Sequence, residues 1–349
     1  MTKVYRTAAG VVMEKELLLH EAVISNEAET VRRILEDREG LNVDCRNNYG
    51  RAPIHLAASR GNIEILDLLI KADCDVEAKD KFGMRALHMA AWYGQQDAVD
   101  VLLDAGALSS ALDKRGQTAL HYACATGQQE AASCLLELGA SARQQDYEGN
   151  TALHLAAANR ESRLFAWLLS RCAAGVERTS LLRTADRRGY TALHLAASLG
   201  CSLILGDVLA ELEREQQRPQ ALASRCLEGN TPLHLAAQMN QTQACDMLID
   251  AGASLNALNT KMQTPLQLAT EMGHSHVCRL LVAASEPNNV EASAAEGGSG
   301  SQQEGTALHV AARTSLASIA NIIARTARLD YPAMLIKGTR AIFNSPEEP

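Results

Sequence analysis

The sequence is poor in aromatic residues and has no long apolar run. Phe, Trp and Tyr make up 3% of the 349 residues, so a core must be built from Leu, Ile, Val and Ala. No stretch approaches the roughly 20 apolar residues that a membrane-spanning helix needs. The first residues lack the apolar segment of a secretory signal. These absences predict a soluble chain without membrane insertion, located in the cytoplasm or the nucleus.

Positive charge is also in short supply. The chain has 33 Lys and Arg against 41 Asp and Glu, and its formal net charge is −8 at pH 7. An acidic protein is repelled by phosphate backbones and by anionic lipids, so nucleic acid is not an expected partner. The nine cysteines show no paired spacing, and we interpret them as reduced thiols.

Motifs for catalysis and for cofactor binding are missing as well. The chain has no Walker-type phosphate loop, no Cys-x-x-Cys pair and no Gly-x-Ser-x-Gly elbow. The Gly-rich stretch at 297–300 follows no predicted strand, so it is not a phosphate-binding loop. We therefore expect no enzyme, no cofactor, no metal site and no small-molecule substrate.

The sequence does contain one short phrase that recurs along the chain. It is clearest as Thr-Ala-Leu-His at residues 151–154, and a fainter copy ends at His20. Four of the eight steps between successive copies are 33 residues, and the other four run from 35 to 42. A fixed period near 33 is a strong signal for stacked repeats. The last residue of the other copies, His or once Gln, is at positions 55, 88, 121, 194, 234, 267 and 309.

The phrase has the composition of a helix start. Thr caps a helix because its hydroxyl accepts a hydrogen bond from a backbone N–H of the first turn, and Pro or Ala suits the next position. The His that follows can bond back toward the cap and the adjoining turn. The first three copies carry Leu17, Ala52 and Arg85 in place of Thr. Each should therefore lose roughly 1 kcal/mol of capping, and we expect the N-terminal end to be locally weaker.

Each regular repeat combines a turn with two predicted helices. Asp or Asn followed three residues later by Gly is typical of a tight turn, as at 80–83. The phrase helix follows and often ends at a Gly, and a second helix with apolar residues at helical spacing comes next, as at 63–70. Seven repeats run over 47–284, of which those at 146–225 are less regular, after a degenerate copy at 16–46 whose helices start at Leu17 and Ala28. Because one repeat buries too little to fold alone, stacking must supply the core.

Two repeats are longer, and the C-terminal end changes character. Seven extra residues precede each of the turns at 186 and 226, and the second helix before the later turn should extend over 209–217 until Arg218-Pro219 stops it. The predicted organisation has five segments. They are a lead-in at 1–15, a repeat stack at 16–284, a flexible linker at 285–304, a terminal degenerate repeat at 305–329 and a tail at 330–349.

These phrases make the chain resemble ankyrin repeat proteins, over about nine copies from Glu16 to roughly Leu329. The resemblance implies an all-α solenoid of about eight to nine helix-turn-helix repeats joined by β-turn or hairpin loops. It also places Gly273-His274 at the start of a second helix. That placement favours a structural role over a metal site for His274, His276 and Cys278, whose donor atoms are closely spaced in sequence.

Two segments carry a narrower resemblance. Residues 82–94 and 255–259 resemble ankyrin repeat and death domain-containing proteins. Such proteins would carry a C-terminal death domain of six helices, and the residues after Leu329 are too few to form one. The resemblance then implies a repeat-only form, for which a death-domain signalling role has no basis.

Ankyrin-like stacks are expected to bind proteins along a groove lined by turn tips and by the ends of the first helices. In each repeat five positions should face it: two in the turn, one after the turn Gly and two at the end of the first helix. Aromatic residues and Arg are the usual binding hot spots. The candidate partner-binding residues are Tyr49, Phe82, Trp92, Tyr93, Lys114, Arg115, Tyr147, Arg187, Arg188 and Tyr190.

The favoured hypothesis is a non-catalytic scaffold or adaptor in intracellular signalling. The expected groove positions hold more Lys and Arg than Glu, and the turn Asp residues offset part of that charge, so we expect a groove that is near neutral to mildly positive. Such a groove suits a partner segment with apolar and acidic residues. One alternative is that the aromatic residues only brace neighbouring turns. The other is an inhibitory or regulatory subunit that covers one partner's functional surface. A scaffold needs two simultaneous partners, whereas an inhibitor needs one.

Overall fold

The structure is a computed structural model that describes residues 13–37, 40–171 and 176–285. Within these ranges the chain forms 18 α-helices and no strand, which confirms the all-α fold. The chain divides into an N-terminal unit, Met1–Cys172, and a C-terminal unit, Ala173–Pro349. The first 12 residues of the lead-in lie outside the described residues. So do the linker beyond Ser285, the terminal repeat at 305–329 and the tail at 330–349.

The N-terminal unit is a stack of helix pairs. First helices pack on first helices of the next repeat, as α3 on α5 and α5 on α7, and second helices do the same, as α4 on α6. The helices are α1 Met13–Ile24, α2 Ala28–Glu36, α3 Pro53–Arg60, α4 Ile63–Lys71, α5 Ala86–Trp92, α6 Gln96–Asp104, α7 Ala119–Ala125, α8 Gln129–Glu137, α9 Ala152–Ala158 and α10 Ser162–Arg171. The first of them begins four residues before the predicted start at Leu17.

The C-terminal unit repeats this arrangement with one addition. Helices α12, α15 and α17 pack in a row, and α13, α16 and α18 form the second row. The helices are α11 Val176–Arg183, α12 Ala192–Leu199, α13 Ser202–Arg214, α14 Arg218–Leu222, α15 Pro232–Gln238, α16 Thr242–Asp250, α17 Pro265–Glu271 and α18 Ser275–Ser285. The addition consists of α11 and α14, which lie in the two stretches of extra residues.

The long helix of the C-terminal unit confirms one part of its prediction and corrects another. Helix α13 is extended as expected, but it ends at Arg214. Arg218-Pro219 was expected to stop a helix, and instead it starts α14. The reason is that Pro has no N–H to leave unpaired in a first turn and its φ is already helical. The buried carboxylate of Glu211 in α13 holds α11 in place, because it accepts a hydrogen bond from Arg178 of α11 at 2.7 Å.

Leu and Ala build the core, as the scarcity of aromatic residues predicts. In the N-terminal unit Leu69, Leu102 and Leu135 of successive second helices are all fully buried. Ala57 and Ala90 of the first helices are also fully buried, and their small side chains let neighbouring first helices approach closely. Helical spacing of Leu, with Ala between, is therefore sufficient to predict which faces are buried.

The phrase histidines connect each repeat to the next. Nδ1 of His88 accepts the backbone N–H of Arg85 at 3.2 Å, so this nitrogen carries no proton. The other nitrogen, Nε2, therefore carries the proton and donates it to the Gln117 carbonyl of the following repeat at 3.1 Å. His55, His121, His194 and His234 make the same pair of bonds, at 3.0–3.3 Å. A buried neutral imidazole is thus the link between adjacent repeats.

This link corrects the role predicted for the phrase threonines. Thr264 accepts the Gln267 N–H at 3.2 Å, as expected of a cap, and Thr118 makes a longer bond of the same kind. Thr151, Thr191 and Thr231 make no such bond. Their hydroxyls donate to the histidine Nδ1 at 2.8–2.9 Å instead, because that nitrogen is an unprotonated acceptor next to the cap. Ala52 and Arg85 lack the hydroxyl, but their backbone N–H groups still donate to the Nδ1 atoms of His55 and His88. The lower local stability expected at the N-terminal end stays a prediction.

The imidazole links predict that stability falls in mild acid. Burial lowers the pKa of His55, His88, His121 and His234, and it lowers the pKa of His194 from 6.5 to about 4. Below pH 6.5 the unfolded chain takes up protons that the folded chain refuses, so the free energy of unfolding decreases as the pH falls toward the folded pKa. His194 alone accounts for about 3 kcal/mol between pH 6.5 and pH 4. Urea unfolding followed by circular dichroism at pH 7.5 and pH 5 checks this.

Substitution of His194 by Gln supplies the matched variant, because the chain already uses Gln at this position of the phrase. Gln267 Oε1 accepts the Thr264 N–H at 2.9 Å, so an amide can hold the cap without titrating. H194Q should lose about 1 kcal/mol at pH 7.5, where the bond to the next repeat is missing. Between pH 7.5 and pH 5 it should then lose about 2 kcal/mol less than the wild type. An equal acid loss in both proteins would contradict the role given to His194.

Candidate protein-binding surface

An Asp or Asn side chain fixes each turn tip except the one that begins at Cys226. Asp80 Oδ1 accepts the N–H groups of Phe82 at 2.8 Å and Met84 at 2.9 Å. Asp113 Oδ1 holds the next turn in the same way, with both bonds at 2.8 Å. Both carboxylates are buried, at 6% and 5% exposure. The Asp residues that mark these turns in the sequence therefore fix the turn backbone, and their burial leaves them little surface that a partner could reach.

Successive tips are also joined to one another. The Lys81 N–H donates to the Tyr49 carbonyl at 3.1 Å, and the Lys114 N–H donates to the Phe82 carbonyl at 3.0 Å. This close approach requires glycine, since a Cβ on Gly83 would lie 2.9 Å from Lys114 N. Gly83 also has φ +79°, which other residues rarely adopt. The tips therefore form a ladder with a fixed spacing.

Seven of the predicted binding residues lie in the N-terminal unit, and all of them are exposed. The five aromatic side chains are between 37% and 61% exposed, and both cationic side chains are exposed as well. A binding surface requires Phe82 and Trp92 to be open to solvent, and both are. We call this set the N-terminal tip surface: Tyr49, Phe82, Trp92, Tyr93, Lys114, Arg115 and Tyr147.

Three aromatic rings, two at the end of α5 and one in the middle of α7, form a cluster. Trp92 stacks on Tyr93, with ring centroids 5.9 Å apart, and on Tyr122 of the next repeat, at 5.3 Å. The Tyr122 hydroxyl donates to Asp113 Oδ2 at 2.7 Å, and burial together with this carboxylate raises the pKa of Tyr122. Trp92 is thus held across two repeats while 37% of it stays open to solvent.

Tyr122 is the site residue that the sequence interpretation missed. It follows the phrase His121, where Leu56 and Met89 stand in the two preceding repeats, and that position indicates a core residue. The available signal was its hydroxyl, because a tyrosine in a core position needs a polar partner and so marks the border between core and surface.

The position after the turn Gly does not face outward as predicted. Met84, Gln117 and Asn150 stand there, and they are only 3%, 5% and 8% exposed. Gln117 shows the cause, because its side-chain Nε2 donates to the buried Asp146 Oδ2 of the next turn at 3.1 Å. This bond holds the Gln117 side chain inside the stack.

The charges exposed at the N-terminal tips are mostly positive. Lys81, Lys114 and Arg115 are exposed, and the exposed acid beside them is Glu148. The turn carboxylates Asp80, Asp113 and Asp146 are buried under backbone N–H groups, so a ligand meets the cations first.

The three candidates in the C-terminal unit also lie at one turn. Arg187 and Arg188 are exposed, and Tyr190 is half-buried. The Arg188 guanidinium lies 4.7 Å from the Tyr190 ring centroid and its Nε donates to Asp186 at 3.1 Å. Tyr190 stacks on His194 at 6.0 Å, with the ring planes 10° apart. This tip therefore exposes two arginines, and the guanidinium of Arg188 lies over the Tyr190 ring. That ring in turn stacks on His194 of α12.

The suspected cluster of His274, His276 and Cys278 does not form a metal site. No group of three or more His, Cys, Asp or Glu that could hold a metal ion occurs among the described residues. At the suspected cluster, Cys278 is buried beside Thr270 at 3.6 Å, while His274 Nε2 bonds the Gln238 carbonyl at 2.9 Å. Burial raises the pKa of Cys45 and Cys74 to about 12, so these thiols are not ionised near neutral pH.

A helix that spans a bilayer must be long and apolar, with about 20 residues of mostly apolar character. None of the 18 described helices combines enough length with enough hydrophobicity to span a membrane.

Comparison with known protein families matches most of the chain. A family described as ankyrin repeats matches three times, over residues 19–113, 108–180 and 164–259, and a family described as ankyrin repeat matches residues 262–292. No curated protein matches the sequence. Ankyrin repeats are generally protein–protein interaction modules, and a typical ankyrin repeat fold is non-catalytic. The matches extend over the same helix pairs, turns and phrase histidines described above, and the chain belongs to the ankyrin repeat family.

Proposed function

We propose that the protein is a non-catalytic scaffold or adaptor that binds a protein partner through the N-terminal tip surface. The observation that carries the proposal is the pair of exposed aromatic side chains at the end of α5, Trp92 and Tyr93, beside the cationic tip of Lys114 and Arg115. Large aromatic side chains and Arg that become buried on binding supply much of the affinity of protein interfaces. A role in intracellular signalling, and a cytoplasmic or nuclear location, are part of this proposal.

The rigidity of the tips supports the proposal. The buried Asp side chains, the backbone bonds between tips and the histidine links hold the backbone before any partner arrives. A partner therefore loses less free energy to ordering of the loops. Rigid display combined with variable side chains is how one fold can serve different partners.

The chemistry of the surface favours a partner segment with apolar and acidic side chains. The aromatic residues offer apolar surface area, and the exposed side chains of Lys81, Lys114 and Arg115 offer positive charge. A chain with a net charge of −8 repels acidic partners elsewhere, so a local cationic tip also selects where such a partner lands. Arg187, Arg188 and Tyr190 offer the same combination on the C-terminal unit.

Bracing of neighbouring repeats explains only part of the aromatic cluster. The contact of Trp92 with Tyr122 is a brace between repeats. Phe82 and Tyr93 are 55% and 52% exposed, and an exposed ring contributes little to the stability of a turn. These two residues are therefore the ones to change when binding is to be separated from folding.

The double substitution of Phe82 and Tyr93 by Ala should remove binding and keep the fold. Affinity for a captured partner should fall about tenfold or more, because two exposed apolar anchors are lost. The matched control replaces Leu108 and Leu138 by Ala, since Leu108 lies in the loop after α6, Leu138 caps the end of α8, and they are 56% and 50% exposed. Affinity capture with mass spectrometry, followed by titration of the protein that only the double variant loses, checks this. Equal capture by both variants would contradict the proposal.

Charge reversal at Lys114 and Arg115 should slow association. The K114E/R115E variant should bind about tenfold more slowly at low salt, and the difference should shrink as salt rises, since screening removes long-range steering. The control reverses Lys71 and Arg163, which are exposed on the second helices α4 and α10. Stopped-flow or surface-plasmon measurement of the association rate at two salt concentrations checks this. Equal rates in the two variants would show that the tip charges do not guide the partner.

A further inference from the structure

The residues that stand just before the turn glycines form a row along the N-terminal unit. Successive repeats place Tyr49, Phe82, Arg115 and Glu148 at this position, and we call these four residues the tip row. All four side chains are exposed, the two aromatic ones by 61% and 55%. The row thus changes from aromatic to cationic to anionic chemistry. The inference below rests on the function proposed above and names the kind of partner segment that this surface receives.

The tip row has a regular spacing. The backbone carbonyls of Tyr49, Phe82 and Arg115 each accept an N–H from the following turn, at 3.1, 3.0 and 3.0 Å. Because the same bond recurs at each step, equivalent atoms repeat with the spacing of the stacked helices, which is about 8–10 Å. A segment that contacts every member of the row must therefore present side chains on one face at this interval.

An extended polyproline II segment has this interval. Its three-residue turn advances about 9.3 Å, so every third side chain faces the same way. A β-strand repeats its face about every 6.7 Å and falls out of step with the row after one repeat. An α-helix returns to the same face after seven residues and about 10.5 Å, so a second property must separate it from the polyproline helix.

The hydrogen-bond donors of the tips supply that second property. In the part of the chain that the structure describes, the indole N–H of Trp92 and the hydroxyls of Tyr49 and Tyr93 make no hydrogen bond. An α-helix pairs its own backbone groups and offers these donors no main-chain acceptor along its length. A polyproline II segment has no internal hydrogen bonds, so its carbonyls are open to such donors, and its proline rings pack on aromatic side chains.

We infer that the N-terminal tip surface binds a proline-rich partner segment in the polyproline II conformation, with one partner side chain at each member of the tip row. Counted from the Tyr49 end, the segment carries an apolar residue and a second apolar residue three positions away. An acidic residue follows at six positions and a basic residue at nine. The acidic residue meets Arg115, and the basic residue meets Glu148.

Charge sets the register of the segment on the row. Lys114 and Arg115 put two exposed cations at one step, whereas the Phe82 step has Lys81 beside an aromatic ring. Glu148, at the step after Arg115, is an exposed anion. A segment with an acidic residue and a basic residue three positions apart therefore gains attraction at both steps, and a shift by one repeat loses it.

The test uses the full-length protein and fluorescent synthetic peptides. The probe consists of the units Pro-Pro-Leu, Pro-Pro-Leu, Pro-Pro-Glu and Pro-Pro-Lys, and a second probe has the units in reverse order to cover the opposite chain direction. One comparison peptide has an additional Pro in each unit. The other is an Ala-rich helix that carries the same four side chains seven residues apart. Fluorescence anisotropy should show binding of the probe in one of its two directions, and both comparison peptides should bind about tenfold more weakly or worse.

Two variants check the register and the donors. Replacement of the peptide Glu by Gln should weaken binding to the wild type about fivefold and should leave binding to K114A/R115A unchanged, because the cations that it meets are absent there. Y93F removes only a hydroxyl, so it should unfold at the wild-type temperature and bind the probe about fivefold more weakly. The L108A/L138A control should bind the probe as the wild type does.

Three outcomes would overturn this inference. They are no binding of the probe in either direction, equal or tighter binding of a comparison peptide, and an equal effect of the peptide Glu in wild type and K114A/R115A. If a captured partner then still depends on Phe82 and Tyr93, the proposed function stands without this inference. Failure of the F82A/Y93A capture experiment would remove both.

Discussion

The fold depends on a buried neutral imidazole that bonds two neighbouring repeats at once. Nδ1 accepts a backbone N–H at the start of its own helix, and Nε2–H donates to a carbonyl just after the turn of the next repeat. Only one protonation state satisfies both partners, so the bond pattern fixes the tautomer as well as the spacing. Because each accepting carbonyl follows a turn, the histidines also fix where the turn tips stand. The positions of the exposed side chains therefore follow from groups that are themselves buried.

The two units use this frame to present different chemistry. In the N-terminal unit the tips offer aromatic rings and Lys or Arg. In the last described repeats of the C-terminal unit the same positions offer methionine and leucine beside Glu228 and Glu271. The backbone bonds between tips are alike in both, for example Lys114 to Phe82 and Thr260 to Glu228. Recognition can thus change along the chain without any change in the frame, which is the property a scaffold requires.

The sequence predicts the repeats, their helices and their buried faces, because these follow from short periodic patterns. It also predicts which aromatic residues are exposed at the N-terminal tips. The sequence does not predict the role of a residue that could serve in two ways. The hydroxyl of Thr151 was expected to cap a backbone N–H and faces an imidazole, and Pro219 was expected to end a helix and starts one. Tyr122 looked like a core residue, and its hydroxyl turns it toward Asp113. In each case the residue has two possible roles, and the repeat pattern alone does not decide between them.

The most direct test of the account is an amide hydrogen-exchange footprint of a bound partner on the full-length chain. If the tips and first-helix ends of the N-terminal unit receive the partner, exchange should slow at residues 80–93 and 113–122. The segment 104–110, which follows the second helix α6, should exchange as it does in the free protein. A footprint confined to the second helices α4, α6 and α8, with 80–93 unchanged, would contradict the account.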